Sequence, residues 1–117
     1  MTEKSPAIDV FENPRPGRDY VITHVCEEFT SVCPITGLPD FGVITVEYIP
    51  DRLCIELKSL KYYFLSFREQ GIFYESVINR ILDELVDACQ PRQMTVTGNF
   101  SVRGGIHSTI VAQHTKK

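Results

Sequence analysis

The chain has 117 residues and a formal net charge of −3, which is enough for one domain with a single core and too little for two. No apolar run approaches the roughly 20 residues that a membrane-spanning helix needs. The acidic balance also argues against a surface that grips a long polyanion such as tRNA, because that calls for a concentrated basic footprint.

From the N-terminus, residues 1–19 carry Pro6, Pro14 and Pro16 among scattered charges and read as an extended arm, with one domain expected over residues 20–117. The arm has no apolar signal segment, so a cytoplasmic chain with reduced thiols is expected. YVITHVCEEF, residues 20–29, alternates Val21, Thr23 and Val25 against Ile22, His24 and Cys26, the spacing of a strand. SVCPITGLPDFG, residues 31–42, holds too many Pro and Gly for helix or strand and reads as a stiffened loop. GVITVEYI, residues 42–49, alternates again and predicts a second strand antiparallel to the first.

A turn at Pro50 and Asp51 leads to a short extended piece, RLCIELK. Ser59 is expected to cap a helix through LKYYFLSFREQ, whose Leu60, Tyr63, Phe64 and Phe67 form one apolar stripe until Gly71 breaks it. A second helix, Tyr74 to Cys89, collects Val77, Ile78, Ile81, Leu82, Leu85 and Val86 on one face and stops before Pro91. MTVTGNFSV and IHSTIVAQH form a strand pair joined at Arg103, Gly104 and Gly105, a strong hairpin signal. The order β-β-α-α-β-β predicts an α+β fold, an antiparallel sheet with two helices on one face. Such a sheet leaves two edges and one face bare, so a ring-shaped homo-oligomer with sites between chains is expected.

The 31–42 loop carries the first candidate chemistry. Cys33 supplies a thiol, whose thiolate is the best nucleophile among natural side chains. The Pro-bounded turn PITGLP can return the Asp40 carboxyl toward it as an acid or base. The alternative is a small buried hydrophobe beside a turn aspartate. Cys26, Cys54 and Cys89 lie in strand or helix patterns and fit core packing. With no CxxC spacing and no histidine cluster, no metal site is expected.

Lys58 and Lys61 surround the start of the first helix, where a bound phosphate or plain solvation would account for them. Arg103 and Gly104 can present a guanidinium and bare backbone N–H groups to a phosphate, or form an ordinary turn. Glu75, opening the second helix, and Glu56, on the extended piece, are the acids able to meet a heterocycle; one carboxylate can accept two parallel hydrogen bonds from a guanine-like edge.

Taken together, VCPITGLPDFG, CIELKSLKYYFLSFREQGIFYE and PRQMTVTGNFSVRGGI resemble the short, single-domain form of the NADPH-dependent 7-cyano-7-deazaguanine reductases, in the right order over about residues 20–113. The resemblance implies the tunnelling fold and stacked rings, with pentamers as the expected unit and active sites between neighbours. It further implies a nitrile reductase of queuosine biosynthesis, with Cys33 as the nucleophile that forms a covalent thioimide and Asp40 as the proton donor. Ile55, Glu56, Leu57, Tyr74 and Glu75 match substrate-binding positions, and Lys58, Arg103 and Gly104 match positions associated with NADPH. Many members carry histidine where Tyr74 stands and serine where Leu57 stands. A related pterin or purine enzyme of the same fold, or an inactive purine-binding or assembly protein, are the competing readings; the pairing of Cys33 with Asp40 speaks against the first.

Overall fold

The computed structural model describes residues 6–117. Its elements follow as β1 (Val10–Glu12), β2 (Ile22–Val32), β3 (Pro39–Ile49), β4 (Leu53–Ile55), α1 (Leu57–Leu65), α2 (Tyr74–Cys89), β5 (Gln93–Arg103) and β6 (Ile106–Thr115). The long strands form one antiparallel sheet in the order β2-β3-β5-β6, as the alternation predicts, and β1 pairs with β4 in a separate two-stranded ribbon. Both helices cover one face, α2 over β5 and β6 and α1 against β2. Among the described residues, no helix is long and apolar enough to cross a membrane.

Strand parity decides what the helices cover. Ile44, Val46 and Tyr48 of β3 and Met94, Val96 and Phe100 of β5 are buried against Leu60, Tyr63, Phe64, Phe67, Val77, Ile78, Ile81 and Leu85. The alternate positions point away, and on that helix-free face Val21, Val25, Phe41 and Val111 each stay more than half exposed. Within the expected arm, β1 lies along β4, and Ile8 and Val10 pack against the core.

Three local expectations change. The loop over residues 31–42 is shorter than its composition suggests: β2 continues to Val32, β3 begins at Pro39, and Ser31 pairs with Asp40 and Val32 with Pro39. Proline is tolerated as the first residue of a strand, so only residues 33–38 are left to connect the two. The cap of α1 is Glu56, not Ser59: its carboxylate accepts from the backbone N–H groups of Lys58 (2.6 Å) and Ser59 (2.8 Å). Ser59 Oγ instead accepts from the Asp9 N–H at 2.9 Å and so fastens the arm. Finally, α1 ends at Leu65, beyond which Phe67, Arg68 and Gln70 donate to carbonyls three residues back in tighter turns. For α2 the expected limits hold, and Gln90 closes it in the left-handed conformation at φ 47° just before Pro91.

Two glycines make room for close neighbours, one on the adjacent strand and one on α2. A Cβ on Gly42 would stand 2.8 Å from Phe100 Cδ1 and 2.9 Å from the Asn99 carbonyl oxygen, and one on Gly98 would meet Ile78 Cδ1 at 2.5 Å. The Phe100 ring therefore fills the space that a side chain at residue 42 would need. We expect Gly42→Ala to cost about 1–3 kcal/mol of stability, visible as a lower thermal midpoint, whereas Gly17→Ala, with nothing within 4 Å of its Cβ, leaves the midpoint unchanged.

Candidate active site

Cys33, Asp40, Tyr74 and Arg103 come together at one end of the sheet, and two irregularities in the strands make this possible. Pairing of β2 with β3 shifts between Cys26 and Phe29, where β2 carries one extra residue. Before this bulge Ile22, His24 and Cys26 face the helices; after it Phe29 and Ser31 do, and Cys33 continues on the same side, its N–H donating to the Leu38 carbonyl at 2.9 Å. A second shift lies between Phe100 and Arg103 of β5. It turns Arg103 from the odd-numbered, helix-free side onto the face that Asp40 occupies. Gly104 (φ 57°) and Gly105 (φ 81°) then close the hairpin in the conformation that tight turns require.

Tyr74 arrives from the opposite direction. The segment between the helices runs beside the end of β2, with Val32 N–H donating to Gln70 O (2.9 Å) and Ile72 N–H to Val32 O (3.0 Å). This fixes the start of α2 over the sheet, and the Tyr74 ring stacks on Phe100 with centroids 3.8 Å apart and planes 6° from parallel.

The Cys33 side chain is only 8% exposed, yet residues 34–38 beside it are all exposed. Gly37 N–H donates to the Cys33 carbonyl at 2.9 Å, closing a single turn beside the sulfur. The Thr36 hydroxyl, the Thr36 and Ile35 N–H groups and the Arg103 guanidinium all stabilise the thiolate and outweigh burial, drawing the thiol down to about 7. Burial pushes the thiols of Cys26 and Cys89 the other way, the latter up to about 12. Cys33 is therefore more readily thiolate at neutral pH than an ordinary cysteine. Thr36 and Ile35 escaped the sequence reading; the signal was the proline after Cys33, which lacks an N–H and leaves the next two residues as donors.

Asp40 is 5% exposed and carries two partners on one oxygen: Arg103 Nε lies 2.9 Å from Oδ1, and the Tyr74 hydroxyl donates to Oδ1 at 3.1 Å. Its Oδ2 forms no hydrogen bond among the described residues. A thiolate, a carboxyl group and a guanidinium that balances their charge make a set suited to adding sulfur to an unsaturated carbon while protonating its neighbour.

Of the other expected site residues, Ile55, Glu56, Leu57 and Lys58 lie on β4 and the start of α1, whereas Glu75 and Gly104 adjoin Tyr74 and Arg103 in the chain. Ile55 is buried in the core, its N–H bonded to the Tyr48 hydroxyl at 2.9 Å. Glu56 spends both carboxylate oxygens on capping α1, which lowers its pKa chiefly through the Lys58 and Ser59 N–H groups. Leu57 is 60% exposed and, with Leu60, Lys61 and Arg68, lines a cavity of about 260 Å³ against His24, Cys26 and Phe29 of β2. Neither Cys33 nor Asp40 reaches that cavity. Lys58 and Glu75 are exposed, Glu75 directly after Tyr74 in the first turn of α2, and Gly104 is exposed beside Arg103.

The thiol environment is measurable without any ligand. Thiolate absorbance should rise first with a midpoint near pH 7 that disappears in Cys33→Ala, and Thr36→Val should move this midpoint upward, toward that of an ordinary thiol; an unmoved midpoint would remove Thr36 from the site.

Comparison with known proteins bears on what this set does. The sequence profile of the family described as QueF-like protein matches residues 39–117. The chain is 63% identical over 109 residues to the NADPH-dependent 7-cyano-7-deazaguanine reductase of Chlorobaculum tepidum, across 93% of both chains. It is 60% identical over 114 residues to the protein of the same name from Elusimicrobium minutum, across 97% of this chain and 86% of that one. Among solved structures it is similar to the archaeosine synthase QueF-Like in the apo form, with a TM-score of 0.77 and 26% identity, across 83% of this chain and 95% of that one. With fold, sequence and profile in agreement, the chain belongs to the QueF-like protein family.

Proposed function

We propose that the chain is an NADPH-dependent nitrile reductase that converts 7-cyano-7-deazaguanine into 7-aminomethyl-7-deazaguanine through a thioimide on Cys33. The observation that carries this reading is a thiol drawn down to about 7 within the same cluster as a carboxyl group held by Arg103 and Tyr74 on one oxygen only. The thiolate adds to the nitrile carbon, forming the S–C bond, while Asp40 Oδ2 delivers its proton to the nitrogen as one C–N π bond breaks. Without that addition the nitrile carbon is a poor hydride acceptor.

NADPH supplies hydride, and because nitrile to amine is a four-electron change, two equivalents are consumed for each nitrile. The residues present fit such a cofactor. Arg103 is 40% exposed on its side chain, and nothing lies within 4 Å of where a Cβ on Gly104 would stand, so phosphate oxygens have room to meet a guanidinium and a bare backbone. Lys58 adds an exposed cation. Once the nitrile carbon is reduced, the S–C bond breaks and Cys33 leaves as thiolate, which its Thr36, Ile35 and Arg103 donors stabilise, and Asp40, after taking a proton from solvent, is again the proton source for nitrogen.

Glu75 would accept the two parallel hydrogen bonds of the guanine-like edge, and Tyr74, Ile55, Glu56 and Leu57 complete the substrate-binding set. Within one chain this set is divided: Leu57 lines the cavity between β2 and α1, from which Cys33, Asp40, Tyr74 and Glu75 are absent. The division supports a site completed by a second protomer. So do the bare outer edge of β6 and the exposed Val21, Val25, Phe41 and Val111 on the helix-free face. We therefore propose a homo-oligomeric ring of stacked pentamers. Four free thiols suit the reducing cytoplasm, and the aminomethyl product would enter queuosine biosynthesis for tRNA modification.

Mixing the chain with 7-cyano-7-deazaguanine and NADPH should oxidise two NADPH per nitrile. Cys33→Ala should abolish this, and Asp40→Asn should slow it about 10²–10⁴-fold. Intact mass after incubation with nitrile alone should show one adduct on Cys33; an adduct on another cysteine would remove the assignment. Sedimentation should give a particle of many protomers, and full activity in a monomer would contradict the shared site.

A further inference from the structure

Among the described residues, Ser31 Oγ is the one side-chain nitrogen or oxygen fully closed off from solvent that has no hydrogen-bond partner, and the residue is 0% exposed. Buried hydroxyls are nearly always bonded, because an unsatisfied one forfeits its hydration without return. An alanine here would avoid that cost. The position of the hydroxyl explains what it is for. Ser31 is the direct cross-strand partner of Asp40, and both side chains face the helices, so their Cβ atoms stand about 4.5–5.5 Å apart. The β2 bulge that brings Cys33 to this face turns Ser31 inward as well.

Asp40 meets Arg103 from β5 and Tyr74 from α2, both on Oδ1, and Cys33 is the remaining ionisable group of the cluster. Its Oδ2 lacks a donor. We infer that Ser31 is a positioning residue for proton transfer, its hydroxyl a donor held in reserve that engages Asp40 Oδ2 once that oxygen has given its proton to the nitrile nitrogen. The step balances: sulfur bonds to carbon, the proton leaves oxygen for nitrogen, and the new carboxylate gains an O–H donor by rotation of one side-chain bond. No further reactant is required. A hydrogen bond to a charged group is stronger than one to a neutral group, so the hydroxyl favours the product side of the transfer.

The inference rests on the proposed reaction, and Ser31→Ala separates it from a structural role. Its melting temperature should equal or exceed that of the wild type, because an unsatisfied hydroxyl is removed, while adduct formation with 7-cyano-7-deazaguanine slows by about 10- to 100-fold. The slowing should fall on the rate of adduct formation at saturating nitrile and leave the half-saturating nitrile concentration unchanged, since Ser31 is paired with Asp40. A wild-type rate of adduct formation in Ser31→Ala would overturn the inference and leave the reaction intact. Loss of folding, or a melting temperature several degrees lower, would overturn it too, by revealing a hydroxyl already bonded in the resting fold. Absence of any adduct in the wild type would instead fell the proposed reaction and this inference together.

Discussion

Along a β-strand only every second side chain reaches a given face, and the candidate site exists because β2 and β5 each break that rule once. Without the β2 bulge the parity set by Ile22, His24 and Cys26 would continue, and Ser31 and Cys33 would face away from α2. Without the irregularity near the end of β5, Arg103 would share the side of Asn99. Asp40 sits between them on β3, which keeps a regular register with β5 from Gly42 to Ile49. One undisturbed strand flanked by two bulged ones gathers a thiol, a carboxyl group and a guanidinium on the protected face. Bulges commonly serve this purpose, re-aiming a side chain at a strand end.

The electrostatics follow from that gathering. Two groups that can both be anionic, Cys33 and Asp40, share one cation, and Arg103 bonds to each. Its own pKa is raised first by Cys33 and then by Asp40. Neutral donors carry the rest: the Thr36 hydroxyl leads at the sulfur and the Tyr74 hydroxyl holds the carboxylate. Phe100 supports the arrangement from beneath, stacked on Tyr74 and seated over the side-chain-free Gly42. A packing feature of the sheet thus reaches the chemistry through a single aromatic ring.

Much of this was legible in the sequence. The α2 stripe is long and regular, so its limits could be read directly, and the Gly pair after Arg103 announced its hairpin. Cys33 and Asp40 could be singled out as a nucleophile and an acid on a Pro-bounded turn, with a buried thiol beside a turn aspartate as the alternative; that Arg103 and Tyr74 join them is seen only in the fold. The bulges were not legible, because one extra residue in a ladder is visible only once the partner strand is known. Glu27 and Glu28 look like ordinary exposed positions. Ser59 misled for a related reason: serine is the commoner cap, whereas Glu56 won the position because its carboxylate reaches two N–H groups and Ser59 is needed by Asp9. Ser31 and Thr36, both small hydroxyl residues in an apparent loop, acquire meaning only through what lies across from them. The split of residues 55–57 from Cys33 could not be foreseen from order in the chain, since it depends on how α1 and β2 pack.

The central claim is that Cys33 Sγ and Asp40 Oδ2 act on the two atoms of one nitrile group. Its most direct test is a crystal structure of the chain after exposure to 7-cyano-7-deazaguanine without NADPH. The account predicts continuous density from Cys33 Sγ to the former nitrile carbon, with the attached nitrogen within hydrogen-bonding distance of Asp40 Oδ2. A deazapurine bound with its carbon out of reach of Sγ, or a nitrogen facing away from Asp40, would contradict it.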